Sequence, residues 1–277
     1  MRPIILLALL PALAATAPAP GLQIVRAIVS QTEGGEPDLP GLSHVPGETL
    51  FFSCRIANFS KSSDSRIHVA YSVQAFDPKG VPLDPPYKNE LVDQVSPQDK
   101  EWMPKIQTEL SIPPLALSGA YKIVVQAEDM QAHTTAHIDV PFQVKGHVLQ
   151  PSDKLVVENF RFFHNENEMQ PMEQAVYRPG DGIWVRMDIT GFGYGPGNKV
   201  DVSYQTSFLN ADGKVLWKQP EPAAEQTESF YPKRYIPAEF GVSLDKNIRP
   251  GTYGILIEVK DAVGNQTYEG KQTFTVE

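Results

Sequence analysis

The chain has 277 residues, 41% of them hydrophobic and 21% charged, which is enough length for two domains of ordinary size. Its formal net charge of -9 argues against a nucleic-acid partner, because a basic surface supplies most of the affinity for a phosphate backbone. Cys54 is the single cysteine, which excludes a disulfide within the chain.

The chain begins with the layout of a secretory signal peptide. Arg2 precedes an apolar run from Ile4 to Ala15, and the small residues near its end suit cleavage after Ala14. The run has about 12 apolar residues, whereas a membrane-spanning helix needs roughly 20. We therefore assign residues 1–20 to a signal peptide and a short N-terminal segment, and we expect a periplasmic or secreted protein. No later stretch approaches the length of a membrane span, so we expect no integral membrane segment in the mature chain.

After this leader, one sequence pattern occurs twice. The segment Val45–Glu48 returns as Arg178–Asp181, and Gly119–Asp129 returns as Gly251–Asp261. The duplication predicts a first domain at 21–146, a linker at 147–154 and a second domain at 155–277. Because the linker is short, we expect limited hinge motion between the domains and not independent tumbling.

Apolar residues at every second position predict strands with one buried face. The first such strand and its counterpart in the second copy carry Leu50, Phe52, Cys54 and Ile56, and Ile183, Val185, Met187 and Ile189. Since a methionine stands where the first copy has Cys54, we interpret Cys54 as a small apolar core side chain. An intermolecular disulfide and a nucleophilic role are the alternatives for this thiol.

A turn is predicted after the next strand of each copy. Asp77-Pro78-Lys79-Gly80 and Asn210-Ala211-Asp212-Gly213 have Asp or Asn first and Gly fourth, which is typical of a type I turn. We interpret both segments as structural and not as metal-binding.

The closing hairpin places a tyrosine at the same position in each copy. Gly119-Ala120-Tyr121 and Gly251-Thr252-Tyr253 each open a strand of alternating apolar residues. About seven short strands and a tyrosine near the start of the sixth are typical of an immunoglobulin-like sandwich, where that tyrosine bonds back to the preceding corner. The predicted fold is therefore all-β, with two tandem immunoglobulin-like β-sandwiches that have no disulfide. Fibronectin III-like and transthyretin-like folds are alternatives.

More narrowly, the copies resemble macroglobulin-type and related bacterial immunoglobulin-like domains. The segment Tyr177–Asp181 is similar to one near the start of those domains, and Gly251–Asp261 is similar to one near their end. The resemblance implies a β-sandwich. It does not extend to the thioester of complete macroglobulins, because Cys54 lies inside a predicted strand and not beside a Gln-rich turn.

The candidate ligand-binding residues are aromatic. They are Tyr194 in the glycine-rich loop 191–197, Tyr231 and Tyr235 in the segment 229–235, and Trp102 at the matching place in the first copy. Tyrosine offers a rigid amphipathic surface that suits a sugar or a peptide, and the glycines indicate a mobile loop. The alternative is that Phe230 and Tyr235 pack beneath an irregular connection.

The sequence shows no recognisable catalytic or cofactor-binding pattern. It has no Gly-x-Ser-x-Gly segment. His133 and His137 would lie about 13 Å apart on a strand, which is too far for one metal ion. We therefore expect no cofactor, no metal site and a protein that is not an enzyme.

Three functions are compatible with these observations. The first is an exported, non-catalytic binding or scaffolding protein with a protein or carbohydrate partner. The second is a protease inhibitor or an accessory subunit of a secreted enzyme, which the macroglobulin-type resemblance and the glycine-rich loop suggest. The third is a carbohydrate-binding module that uses Tyr194, Tyr231 and Tyr235.

Overall fold

A computed structural model describes residues 21–96, 98–99, 101–150 and 152–277. The predicted signal peptide lies outside the described residues. Within these ranges the chain forms seventeen β-strands and one short 3-10 helix, Pro196–Asn198. None of the helical structure described there has the length and hydrophobicity that crossing a membrane requires.

The first half of the described chain contains two sheets. Its strands are β1 (Gln23–Ser30), β2 (Ser43–His44), β3 (Thr49–Ala57), β4 (Arg66–Phe76), β5 (Tyr87–Gln94), β6 (Lys105–Ser111), β7 (Gly119–Asp129) and β8 (Thr134–Val144). One sheet has the order β1-β3-β6 and the other has the order β2-β8-β7-β4-β5. The short strand β2 pairs with β8 in parallel, and the remaining pairs are antiparallel.

The second half repeats this arrangement. Its strands are β9 (Val156–Phe163), β10 (Val176–Tyr177), β11 (Gly182–Thr190), β12 (Val200–Leu209), β13 (Val215–Lys218), β14 (Ala223–Thr227), β15 (Ile236–Ser243), β16 (Gly251–Asp261) and β17 (Gln266–Val276). One sheet has the order β15-β11-β9, and the other has the order β10-β17-β16-β12-β13, with β14 also paired to β12. Again the short strand, β10, is parallel to its neighbour β17.

A hydrophobic core fills the space between the two sheets of each half. In β3, Leu50, Phe52, Cys54 and Ile56 are at most 1% exposed, because successive side chains of a strand point to opposite faces. They pack with alternate residues of β4 and β7 from the facing sheet. A separate core cluster joins β11, β12, β15 and β16 in the second half. The predicted all-β sandwich fold is confirmed, and Cys54 lies in the core as predicted.

The two halves also share exceptional backbone positions. Arg26 in β1 and Asn159 in β9 both have a positive φ, of 52° and 51°, and both lie where the strand bulges against its neighbour. Asn58 and Gly191, which directly follow β3 and β11, have positive φ as well. Residues other than glycine rarely adopt this conformation. Its recurrence at matching places shows that the backbone path, and not only the hydrophobic pattern, is repeated.

A tyrosine hydroxyl closes the same corner in both halves. Tyr121 Oη donates to the carbonyl of Leu117 at 2.9 Å, and Tyr253 Oη donates to the carbonyl of Arg249 at 2.8 Å. These are the hydrogen bonds that an immunoglobulin-like fold predicts for the two tyrosines. The assignment to two tandem immunoglobulin-like domains at 21–146 and 155–277 stays a prediction, which these bonds and the shared strand order support.

Candidate functional site

The two halves are in contact at the turn that follows β4. Asp77 begins this turn, and its Oδ1 accepts the backbone N–H groups of Lys79 and Val81, each at 2.8 Å. Its other oxygen, Oδ2, accepts the hydroxyl of Tyr231 at 3.1 Å and Nη2 of Arg234 at 2.5 Å. The turn role predicted for Asp77 is present, and the same carboxylate also joins the first half to the second.

Asp77, Tyr231 and Arg234 form a cluster that is largely removed from water. The side chain of Asp77 is 3% exposed and that of Arg234 is 15% exposed. The guanidinium lies 5.3 Å from the centroid of the Tyr231 ring. Burial raises the pKa of Tyr231, so its hydroxyl keeps the proton that it donates. Burial lowers the pKa of Arg234, but its bonds to Tyr231 and Asp77 outweigh this effect and the pKa is raised.

A second contact connects the predicted linker to the second half. The backbone of His147 is held by the first half, since its carbonyl accepts the N–H of Ser118 at 3.0 Å. Its Nε2 lies 2.6 Å from Oδ2 of Asp188, to which Asn159 Nδ2 also donates at 2.8 Å. The imidazole stacks on the ring of Tyr235 with the centroids 4.8 Å apart. Burial, and then the charge of Asp188, raises the pKa of Tyr235.

A cleft of about 700 Å³ opens where the halves meet. The first half contributes Val81 and Pro82 to its wall, and the second half contributes Tyr194 and Phe230. Phe230 is 49% exposed and Tyr194 is 41% exposed. Aromatic side chains that stay exposed in a concave surface are typical of ligand-binding sites.

Hydrogen bonds fix the two loops that carry these rings. Tyr194 Oη donates to the carbonyl of Lys233 at 2.6 Å. Asn198 Nδ2 donates to the carbonyls of Ser229 and Phe230 at 3.1 and 2.6 Å. Each loop therefore holds the other: the Tyr194 ring is held at its hydroxyl, and Phe230 is held at its backbone.

The glycines of loop 191–197 serve close packing. A Cβ atom on Gly193 would lie 2.7 Å from the Cα atom of Gly264, so only glycine fits there without a shift of the backbone. The N–H of Gly193 also donates to Oδ2 of Asp261 at 2.8 Å. The mobility that the glycines suggested for this loop is not supported, because close contacts and hydrogen bonds tie it to the neighbouring turn.

The structure brings three of the four predicted binding residues together. Tyr194, Tyr231 and Tyr235 lie at the contact between the halves, but only Tyr194 is exposed there. Tyr231 and Tyr235 pack within the contact. Phe230, which the packing alternative placed beside Tyr235, is instead 49% exposed. Trp102 lies apart from them, at the other end of the first half, with its ring 6.0 Å from that of Phe59.

Sequence reasoning missed the contact roles of Asp77, His147 and Asp188. The local turn is by itself a sufficient reason for an aspartate at position 77. A signal was nevertheless present in the difference between the copies. Asn210 holds the matching place and accepts the N–H of Lys214 at 2.8 Å, so an amide is sufficient for the turn. A carboxylate at that place indicates a further partner.

The histidines predicted not to share a metal ion have separate partners. His133 and His137 are 76% and 57% exposed, and they lie beside Glu128 and Asp139 respectively. Over the described ranges, no group of three or more His, Cys, Asp or Glu side chains is positioned to hold a metal ion.

No family model matches the chain, and no curated protein matches it. Among solved structures the chain is similar to the alkylpurine DNA glycosylase AlkC of Pseudomonas fluorescens, bound to DNA containing an abasic site analog. The two are 11% identical with a TM-score of 0.29, and the match covers 46% of this chain and 31% of that one.

One expectation is corrected by this comparison. The sequence predicted a protein that is not an enzyme, whereas the matched structure is that of an enzyme. A TM-score of 0.29 transfers neither the fold nor the reaction of the glycosylase to this chain. We therefore withdraw the prediction and assign no reaction.

Proposed function

We propose that the protein is an exported binding protein of two immunoglobulin-like domains, which holds an extended protein segment in the cleft between its halves. The proposal depends on one observation: Phe230 and Tyr194 are 49% and 41% exposed in a cleft with walls from both halves. Rings that are already held in place lose little conformational entropy when a ligand covers them. The layout of a signal peptide before residue 21 supports the exported compartment.

A protein segment suits this cleft better than a sugar. Pro82, Tyr194 and Phe230 line it, and grooves lined by aromatic side chains bind extended, proline-containing segments. Sugar recognition requires free polar groups around the aromatic surface. Most polar side chains of the cleft already have partners within the protein: Asn198 and Ser229 donate to backbone carbonyls, and Arg234 donates to Asp77. The carboxylate of Glu228 is the exposed polar group that the lining offers.

The charge of the cleft favours a basic segment. Glu228 is exposed and lines the cleft, and the charge of Arg234, which also lines it, is paired with Asp77. The whole chain has a net charge of -9. Complementary charge speeds association and rejects like-charged partners. We therefore expect Lys or Arg near the proline or aliphatic residue that contacts the rings.

A display library of extended peptides, screened in parallel with a glycan array, tests this proposal. Phe230→Ala and Tyr194→Ala should each weaken peptide binding about tenfold or more, which corresponds to about 1.4 kcal/mol. Val92→Ala is the matched control, because Val92 is 62% exposed on β5 and does not line the cleft. Peptide affinity that survives both cleft substitutions contradicts the proposal. Selective glycan binding that both substitutions abolish supports the carbohydrate-binding alternative instead.

A further inference from the structure

The second half carries an exposed apolar strand at its outer end, the end away from the first half. Val215, Leu216 and Trp217 of β13 are 49%, 52% and 42% exposed. In the described part of the chain, β13 pairs with β12 alone. Three consecutive exposed apolar residues on a strand at the sheet edge are typical of a contact surface.

This strand matches the surface through which the first half contacts the second. In the first half, the N–H of Asp77 donates to the carbonyl of Val81 at 2.9 Å, and Val81 and Pro82 then line the cleft. In the second half, the N–H of Asn210 donates to the carbonyl of Lys214 at 3.0 Å, and β13 begins at the next residue. One surface is therefore present twice, and only its first copy lies in a contact.

The opposing surface is also present twice. The register of β3 with β6, and of β11 with β15, aligns Trp102 in the first half with Arg234 in the second. Arg234 contacts the first half, whereas Trp102 lies at the outer end of the first half. The Phe59 ring lies 6.0 Å from the Trp102 ring, and Lys61 lies over the Phe59 ring. Met130, in the turn after β7 at the same end, is 37% exposed.

Both members of the ion pair at the internal contact have uncharged counterparts at the two outer ends. Inside the molecule Asp77 meets Arg234, and each charge offsets the cost of burying the other. At the outer ends the matching residues are Asn210 and Trp102, so both charges are missing together. If these ends met, no charge at these positions would be buried without a partner.

We propose that the outer end of the second half binds the outer end of the first half of a second copy of this chain, with Trp102 against Val215–Trp217. This contact repeats the internal one, with an apolar pair in place of the ion pair. Because the two surfaces are different, the contact is head-to-tail. Such a contact extends into an open row of molecules unless the rotation between them closes a ring.

Light scattering over a range of protein concentrations tests this inference. The mean mass of the wild-type protein should rise with concentration beyond that of two chains. Leu216→Glu and Trp102→Glu should each give monomers, because each places a charge in the apolar contact. An equimolar mixture of the two variants should form dimers and nothing larger, since the mixture contains one intact pair of surfaces.

Two further variants make the experiment decisive. Val45→Glu adds the same charge at a site that is 53% exposed and lies at the opposite end of the first half from Met130, and this variant should assemble like the wild type. Met130→Glu changes an exposed side chain and should also give monomers, which covers the case that Trp102→Glu fails to fold. Wild-type protein that stays monomeric at the highest attainable concentration overturns the proposal. A mixture of the two variants that forms no dimers also overturns the proposal. A Trp102→Glu variant that still dimerises overturns it as well, because that result would indicate that β13 pairs with the β13 of a second copy.

Discussion

Cys54 and Met187 show how one buried position accepts two different side chains. They hold matching places in β3 and β11 and are 1% and 2% exposed. Burial raises the pKa of the Cys54 thiol from 9.0 to about 12. The thiolate is the reactive form of cysteine. At this depth the thiol therefore acts as a core side chain, and its burial argues against an intermolecular disulfide or a nucleophilic role.

We predict that Cys54 does not react with a thiol-specific disulfide reagent at neutral pH until guanidinium unfolds the chain. The pKa of the thiol is about 12 in the folded protein, above the ordinary value of 9.0. Between pH 9.0 and about 12, the folded protein therefore keeps a proton that the unfolded chain has lost. The stability that this thiol contributes is therefore complete below pH 9.0 and is lost as the pH rises toward about 12. A Cys54→Val variant should lack this part of the alkaline loss. Rapid reaction of the native protein would restore the nucleophile hypothesis.

At the level of elements, β7 and β16 are each anchored by the hydroxyl of their tyrosine. Tyr121 is 1% exposed, and its bond to Leu117 lies partly inside the protein. Tyr253 is half-buried, and its bond to Arg249 lies at the surface. The two bonds have similar lengths, but water can replace a lost donor only at the surface.

We predict that Tyr121→Phe lowers the free energy of unfolding by about 1 kcal/mol or more, and that Tyr253→Phe lowers it by about 0.5 kcal/mol or less. Both carbonyls lose their hydrogen-bond donor in these variants. Water has little access to the carbonyl of Leu117, whereas water can replace the lost donor at the carbonyl of Arg249. Urea denaturation of both variants against the wild type measures the two values. Equal losses would show that the corner hydroxyl acts through packing and not through its hydrogen bond.

The strands and turns could be predicted from the sequence because they depend on neighbouring residues. The alternation from Leu50 to Ile56 is enough to define β3, since it places every second side chain in the core. The turn Asp77–Gly80 is likewise defined by its own four residues. β13 could not be predicted in this way, because Val215, Leu216 and Trp217 are consecutive and follow neither strand nor helix periodicity.

The candidate site could be predicted only in part. Tyr194 was identified from residue type, and the structure exposes it in the cleft. The bond between Asp77 and Arg234 joins residues far apart in the chain, and neither residue shows its partner locally. His147 lies in a segment that composition describes only as a linker. Contacts of this kind depend on how the halves meet, which no local pattern specifies.

In the whole molecule, two contacts hold the halves in one relative position. Asp77 with Tyr231 and Arg234 forms one, and His147 with Asp188 forms the other. The carboxylates are 3% and 9% exposed and are therefore largely removed from water, whereas the His147 side chain is 39% exposed. A single contact beside a short linker leaves rotation about that contact free, whereas two separate contacts prevent it.

We predict that Asp77→Asn and His147→Ala release the halves only when they are combined. The amide keeps the turn, as Asn210 shows, but its Nδ2 cannot accept the bonds of Tyr231 and Arg234. In small-angle X-ray scattering, each single variant should resemble the wild type, while the double variant should show a broader distribution of distances and a larger maximum dimension. The double variant should also lose affinity for any ligand of the cleft, because Pro82 and Phe230 would no longer face each other across it.

Lys122→Ala is the control, since it breaks an exposed ion pair with Asp139 within the first half and should change neither measurement. A double variant that scatters like the wild type would mean that the linker backbone alone sets the orientation. The cleft would then be as rigid as either half, and its ligand affinity would depend on its aromatic rings and not on the two contacts.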